Sequence, residues 1–165
     1  MDKTQDPASE SAETTPDRIH KNTVLRASRA RVWRALTQAE EFGTWFGAKL
    51  TGQFVPGAKV RGPISTEGYQ HLTMEITIES VEPERLLSFR WHPYAIDPAV
   101  NYDSEPSTLV TFELEDVAEG THLTVTESGF ARIPADRRAL AFRMNDGGWA
   151  AQVQNLARFV DGSQV

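Results

Sequence analysis

The chain has 165 residues, of which 39% are hydrophobic and 24% charged, and its formal net charge at pH 7 is −6. This length fits a single domain with one core. The negative charge argues against a protein that binds nucleic-acid phosphates, because such proteins display a basic surface. The absence of cysteine excludes disulfides, thiol catalysis and cysteine-ligated metals.

Two groups of arginines stand out against this acidic composition. They are Arg26, Arg29, Arg31 and Arg34 near the start, and Arg132, Arg137, Arg138 and Arg143 near the end. Basic residues in such groups are typical of solvated helix faces. We therefore expect no nucleic-acid partner.

The first 16 residues are rich in Ser, Thr, Glu, Asp and Pro and contain no apolar run. They lack the core of a signal peptide and have the composition of a disordered segment. No window of the chain approaches the roughly 18 apolar residues that cross a bilayer. We expect a disordered tail over 1–16, one domain over 17–163, no membrane span and a cytoplasmic, soluble protein.

A strand and two short helices are predicted first. Residues 19–26 mix apolar and charged side chains in the manner of an edge strand. Ser28 is a favourable helix N-cap, and the apolar residues after it recur at helical spacing. A second helical turn, capped by Thr37, is expected to end at Gly47.

Alternating apolar and polar side chains then predict a series of strands. A Pro56-Gly57 turn joins the first two, since proline presets one torsion of such a turn and glycine permits the other. The predicted strands are 48–54, 58–63, 72–79, 85–91, 107–115 and 121–127.

The segment 92–106 is longer than a hairpin needs, and it contains three prolines, two tyrosines and a histidine. Long ordered loops are often functional. It is either a variable surface excursion or a lid over the mouth of a cavity.

A long C-terminal helix is predicted after Pro134, which suits a first helical turn. Its apolar stripe is Leu140, Met144, Gly148, Ala151 or Gln152, Leu156, and Phe159 or Val160. The pair Gly147-Gly148 costs about 1 kcal/mol per glycine relative to alanine. We expect an offsetting kink, or a close approach of the backbone to the sheet or a ligand.

Motifs near both ends of the chain carry a family resemblance. They are Ala30-Arg31-Val32-Trp33-Arg34-Ala35-Leu36-Thr37, Trp45-Phe46, Pro56-Gly57, and Gly148-Trp149 with Leu156 and Phe159-Val160. Over 17–162 the chain resembles the activator of heat-shock 90 ATPase homologue-like branch of the START-type (SRPBCC) superfamily. The resemblance implies an α+β helix-grip fold, as in the birch-pollen allergen. Such a fold has a curved antiparallel sheet of about six or seven strands around a long C-terminal helix, with short helices after the first strand.

The same resemblance implies a cavity lined by inward strand residues and one face of the last helix. Pockets of this kind are mostly apolar with a few placed polar groups. For the aliphatic candidates core packing is the commoner role, whereas for Trp45 and Trp91 ligand contact is about equally expected. The candidates are Trp45, Phe46, Met74, Ile76, Phe89, Trp91, Tyr94, Phe112, Met144, Trp149 and Gln152.

Two residues are candidates for acid–base chemistry. Glu127 has the parity of the apolar residues in its strand, so an unbroken strand points it inward, whereas a strand end turned outward leaves it solvated. His92, beside Tyr94, could orient a polar ligand group or move a proton, although loop histidines are usually solvated. The histidines lack metal-ligand spacing, and no phosphate-binding or nucleophile motif occurs. No metal or cofactor is expected.

Three functions fit these observations. The first is binding of a small hydrophobic or aromatic molecule, lipid or polyketide-like, in the cavity. The second is a polyketide cyclase/dehydratase-like enzyme that uses Glu127 and His92. The third is a chaperone-activator-type domain that binds a protein through the acidic outer face of the sheet, and a solid core would favour it. That face would carry Glu75, Glu79, Glu113 and Glu115.

Overall fold

The computed structural model describes residues 16–161. Residues 1–15 of the tail predicted over 1–16 therefore lie outside the described residues. Six strands form one antiparallel sheet in the order β1-β6-β5-β4-β3-β2. The strands are β1 (Arg18–Leu25), β2 (Lys59–Pro63), β3 (Thr73–Glu82), β4 (Leu86–Trp91), β5 (Thr108–Val117) and β6 (Gly120–Ser128). The helices are α1 (Arg29–Thr37), α2 (Ala39–Phe46) and the 26-residue α3 (Ala135–Val160).

This arrangement confirms the predicted α+β helix-grip fold, with a curved sheet, a long C-terminal helix and two short helices after the first strand. Helix α3 lies against β1 and against both short helices. Within the described range 16–161, no helix is long and apolar enough to cross a membrane.

The short helices begin and end largely as their residues predict. The Ser28 hydroxyl accepts a hydrogen bond from the Arg31 amide at 3.1 Å, which caps α1, and α2 ends at Gly47, whose φ is 103°. The predicted cap at Thr37 is wrong, because Gln38 is the N-cap of α2 and makes no side-chain bond there. The Thr37 hydroxyl instead donates to the Trp33 carbonyl at 2.7 Å.

The predicted strand over 48–54 is not a regular strand. It makes two isolated bridges, Ala48 with Ile64 and Thr51 with Arg61. Between them the Lys49 amide donates to the Pro63 carbonyl at 2.9 Å. Proline has no N–H to return that bond, so the ladder with β2 is interrupted at this pair.

The buried face of α3 is rotated from the predicted stripe in its N-terminal half. The buried residues are Ala141, Trp149, Val153, Leu156 and Val160, whereas Leu140 and Met144 are 40% and 44% exposed. The sheet does not approach Gly147-Gly148 closely, since no atom outside the local helix backbone lies within 4 Å of a Cβ built at either glycine. The two glycines leave open space beside the helix.

One arginine in each basic group is withdrawn from solvent, contrary to the expectation of solvated faces. Arg31 is 7% exposed, donates to Glu41 Oε1 at 2.7 Å, and lies 5.0 Å from the centroid of the Phe159 ring. This ion pair joins α1 to α2, and the ring contact joins α1 to α3. The other withdrawn arginine, Arg137, is described with the site.

We expect Gly62→Ala to destabilise the fold, because a Cβ at Gly62 would lie 1.8 Å from the Lys49 carbonyl oxygen. Backbone must move to relieve such a contact, at a cost of at least about 2 kcal/mol. Urea denaturation followed by circular dichroism measures the effect. The matched control, Gly147→Ala, should gain up to about 1 kcal/mol of helix propensity. Equal stability of the two variants would contradict the packing described here.

Candidate functional site

Aromatic rings fill the centre of the grip. Phe42 of α2 packs against Trp45, Phe89 and Phe112, with ring centroids 4.6, 6.2 and 6.3 Å away. All four are buried, and the Trp45 indole N–H donates to the Ala35 carbonyl at 2.9 Å. Three predicted cavity residues, Trp45, Phe89 and Phe112, therefore belong to the solid core, as does the buried Ile76.

An open cavity of about 470 Å³ lies at one end of this aromatic core. Its walls come from the end of α2, from residues 64–72 and the start of β3, and from the end of β4. The 92–106 loop and α3 complete them. Small-molecule pockets typically measure 300–1,000 Å³, so the volume is suited to one small ligand. The lining residues are Phe46, Ile64, Leu72, Thr73, Met74, Glu75, Trp91, His92, Tyr94, Ala95, Ile96, Tyr102, Asp103 and Asn145.

A second cavity, of about 110 Å³, adjoins the first. The two share Phe46, Trp91 and Asn145 in their linings. Gly148, whose missing side chain leaves open space, lines the smaller cavity together with Trp149 and Gln152. Gly148 of α3 thus keeps volume free beside the aromatic wall.

The shared wall of the two cavities is held from behind by Glu127, which is 0% exposed. Its Oε2 accepts from Trp91 Nε1 at 2.7 Å and from the Thr108 hydroxyl at 2.6 Å. Its Oε1 accepts from Trp149 Nε1 at 2.8 Å, and the Asn145 amide donates to both oxygens, at 3.0 and 3.2 Å.

Four donors around one carboxylate satisfy a group whose burial would otherwise be costly. They come from β4, β5 and α3, so Glu127 ties the helix to the sheet at the cavity end. Strand β6 points the carboxylate inward because it alternates strictly between buried and half-buried residues up to Ser128.

Arg137 of α3 anchors the 92–106 loop. Its Nη2 donates to Glu105 Oε1 at 2.8 Å, its Nη1 donates to the Tyr94 carbonyl at 3.2 Å, and its guanidinium carbon lies 4.8 Å from the Tyr102 ring centroid. The two charged side chains are only 18% and 14% exposed. The loop is therefore fixed over the larger cavity, with Tyr94, Ala95, Ile96, Tyr102 and Asp103 in its lining.

The predicted site residues line one or both cavities, belong to the core, lie on the exposed face of α3 or lie behind the cavity wall. Phe46, Met74, Trp91, Tyr94 and His92 line the larger cavity, and Phe46, Trp91, Trp149 and Gln152 line the smaller one. Trp45, Phe89 and Phe112 are in the core, and Met144 lies on the exposed face of α3. Glu127 lies behind the cavity wall, and lines neither cavity.

Two predicted polar residues are engaged elsewhere. The Gln152 amide donates to the Phe46 carbonyl at 2.8 Å, so it joins α3 to the end of α2. His92 Nε2 lies 3.1 Å from the Glu105 carbonyl oxygen. No hydrogen bond within 16–161 joins His92 to Glu127.

Sequence reasoning missed Asn145, Thr108 and Arg137. Asn145 could have been found by its helical spacing, because it lies four residues before Trp149 on the same face. Thr108 and Arg137 carry no comparable signal, since their partners Glu127 and Glu105 are distant in sequence.

The acidic outer face of the sheet is partly neutralised. The side chains of Glu75, Glu79, Glu113 and Glu115 are exposed, as predicted. Arg90 donates to Glu79 at 2.8 Å, and Lys59 lies 3.7 Å from Glu75. Among residues 16–161, no group of three or more His, Asp or Glu is placed to hold a metal ion.

A six-stranded sheet closed by a long C-terminal helix, with a cavity at the end of that grip, defines a START-type (SRPBCC) domain. Within that class the chain belongs to the Activator of Hsp90 ATPase homolog 1-like family, whose model matches residues 26–161. Nothing among curated proteins matches the chain.

Solved structures similar to the chain include MLL2253 from Mesorhizobium loti, with 26% identity and a TM-score of 0.70 over 90% of this chain and 99% of that one. DynU16, a protein of the dynemicin biosynthetic locus, has 25% identity and a TM-score of 0.69, and the match covers 91% of this chain and 49% of DynU16. The Aha1 dimer from Colwellia psychrerythraea, at 18% identity and a TM-score of 0.66 over 90% of this chain and 98% of that one, shows the same fold. The family and the similarity to DynU16 together support a ligand-binding or cyclase-like domain.

We expect Glu127→Ala to lower the free energy of unfolding by at least about 3 kcal/mol, since it strands several buried donors at about 1–3 kcal/mol each. Urea denaturation provides the measurement. Glu113→Ala, on an exposed face of the neighbouring strand, should change stability by no more than about 0.5 kcal/mol. A similar small effect at both positions would show that the donors do not depend on Glu127.

We expect Arg137→Met to loosen the 92–106 loop without unfolding the domain, because the ion pair, the carbonyl bond and the ring contact are lost together. Amide hydrogen exchange, resolved by peptide, should increase within 93–106 and stay unchanged in β5 and β6. Arg143→Met, at an exposed position of the same helix, is the control. Unchanged loop exchange in Arg137→Met would rule out this anchor.

Proposed function

We propose that the protein binds a small, mostly apolar or aromatic molecule in the cavity beneath the 92–106 loop. The observation that carries this proposal is the open space of about 470 Å³ between the aromatic core and the loop. Phe46, Trp91, Tyr94 and Tyr102 place four aromatic rings in its lining. Mostly apolar walls with a few polar groups are typical of small-molecule sites.

Contacts of Glu127 and His92 favour binding over acid–base catalysis. A cyclase or dehydratase needs titratable groups that converge on the substrate. Glu127 faces four donors behind the wall, and His92 Nε2 meets a backbone carbonyl. The similarity to DynU16, from the dynemicin biosynthetic locus, supports a small molecule as the ligand without requiring a reaction.

A protein partner on the outer face of the sheet is less favoured. Its glutamates are interspersed with Arg90 and Lys59, which pair with two of them. Such mixed charge is usual on the solvated face of an antiparallel sheet. Solvation of a sheet face, in contrast, does not explain the cavity at the open end of the grip.

We expect Ala95→Phe to weaken ligand binding by at least about tenfold, because the added ring would occupy the cavity that Ala95 lines. Ala99→Phe is the matched control, since Ala99 is an exposed residue of the same loop outside the lining. Isothermal calorimetry with lipids and aromatic compounds measures affinity, and the fluorescence of Trp91 and Trp149 reports occupancy. If no compound in a broad panel binds the native protein, the proposed function fails.

A further inference from the structure

Carboxylates supply the only formal charges in the lining of the larger cavity, as far as residues 16–161 describe it. Glu75 and Asp103 are part of that lining, and no lysine or arginine is. Glu75 pairs with Lys59 at 3.7 Å on the outer face of the sheet, so its charge is largely compensated. No ion pair of the described residues involves Asp103. A cleft of one charge sign attracts ligands of the opposite sign.

The aromatic residues of the cavity add to this preference. Trp91 and Phe46 stand with ring centroids 6.0 Å apart at the inner end, and Tyr94 and Tyr102 come from the loop. The face of an aromatic ring attracts a cation within about 6 Å of its centroid. An anionic ligand group would gain nothing from these rings.

Asn145 places a hydrogen-bond acceptor where the two cavities meet. Only the amide nitrogen can donate to the Glu127 carboxylate, so that contact decides which way the amide faces. The amide oxygen, Oδ1, is thereby left as the group that Asn145 offers to a ligand. None of the hydrogen bonds among the described residues uses it.

We infer, building on the ligand site proposed above, that the cavity selects apolar or aromatic molecules that carry a protonated amine. The ring system of the ligand lies against Phe46 and Trp91, and its amine donates to Asn145 Oδ1 or faces Asp103. Glu127 acts as a positioning residue, because it sets the orientation of the Asn145 amide without touching the ligand.

Four probes that share one naphthyl skeleton test this selectivity in the full-length protein. They are ethylnaphthalene, naphthylethanol, naphthylethylamine and naphthylacetate, which differ only in the terminal group. Calorimetry at low ionic strength should give the amine an affinity at least about fivefold above that of the alcohol, with the carboxylate weakest. Added salt should reduce the advantage of the amine.

Variants of the carboxylates separate charge from packing. Asp103→Asn should weaken binding of the amine about threefold, while the affinity for ethylnaphthalene stays within about twofold. Asp97→Asn removes a charge of the same sign from the same loop, but Asp97 is outside the lining. This variant should therefore leave the affinity for the amine unchanged. Thermal melting confirms that each variant is folded.

Asn145→Leu removes the acceptor and keeps a side chain of similar size. The variant should lower the affinity for the amine and for the alcohol about fivefold, because both molecules donate a hydrogen bond to the amide oxygen. The affinity for ethylnaphthalene should not change. A merely structural role of Asn145 would weaken all four probes equally, which would overturn its assignment.

Different results would overturn the preference for amines and the proposed binding function. Equal affinities for all four probes, or tightest binding of naphthylacetate, would overturn the preference for amines and leave the ligand site standing. Binding of none of the four, together with no effect of Ala95→Phe on any ligand, would overturn both.

Discussion

The carboxylate of Glu127 on β6 accepts hydrogen bonds from the end of β4, the start of β5 and the middle of α3. A buried ion without these donors would destabilise the fold strongly, so the positions of Trp91, Trp149 and Asn145 are mutually dependent. Trp91 and Asn145 line both cavities, and Trp149 lines the smaller one. Stability at this end of the grip and the shape of the site therefore rest on one group.

The molecule divides its interior between a packed region and an open one. Phe42 and the rings around it fill the middle of the grip as part of the buried core. Open space remains where the 92–106 loop, rather than a strand or helix, closes the end. Arg137 holds that loop, so the larger cavity persists beneath a fixed cover instead of collapsing.

Catalysis and binding place different demands on buried polar groups. An acid or base must reach the substrate, whereas a positioning group is most effective when all its bonds are already made. Glu127 is of the second kind, and Asn145 passes its influence to the ligand. Under the proposed binding function, the buried carboxylate shapes the cavity wall through its hydrogen bonds.

Local patterns in the sequence determined the secondary structure, the order of the elements and the family. The Ser28 cap and Gly47 stop marked the short helices, because helix capping depends on near neighbours, whereas alternation left Glu127 either inward or turned outward at the strand end. Tertiary contacts decided which distant side chains meet, and no local pattern in the sequence indicates that. Whether a ring such as Trp45 or Trp91 lines a cavity or fills the core depends on what packs against it. The pairing of Arg137 with Glu105, and of Glu127 with its donors, depends on residues that only the fold brings together.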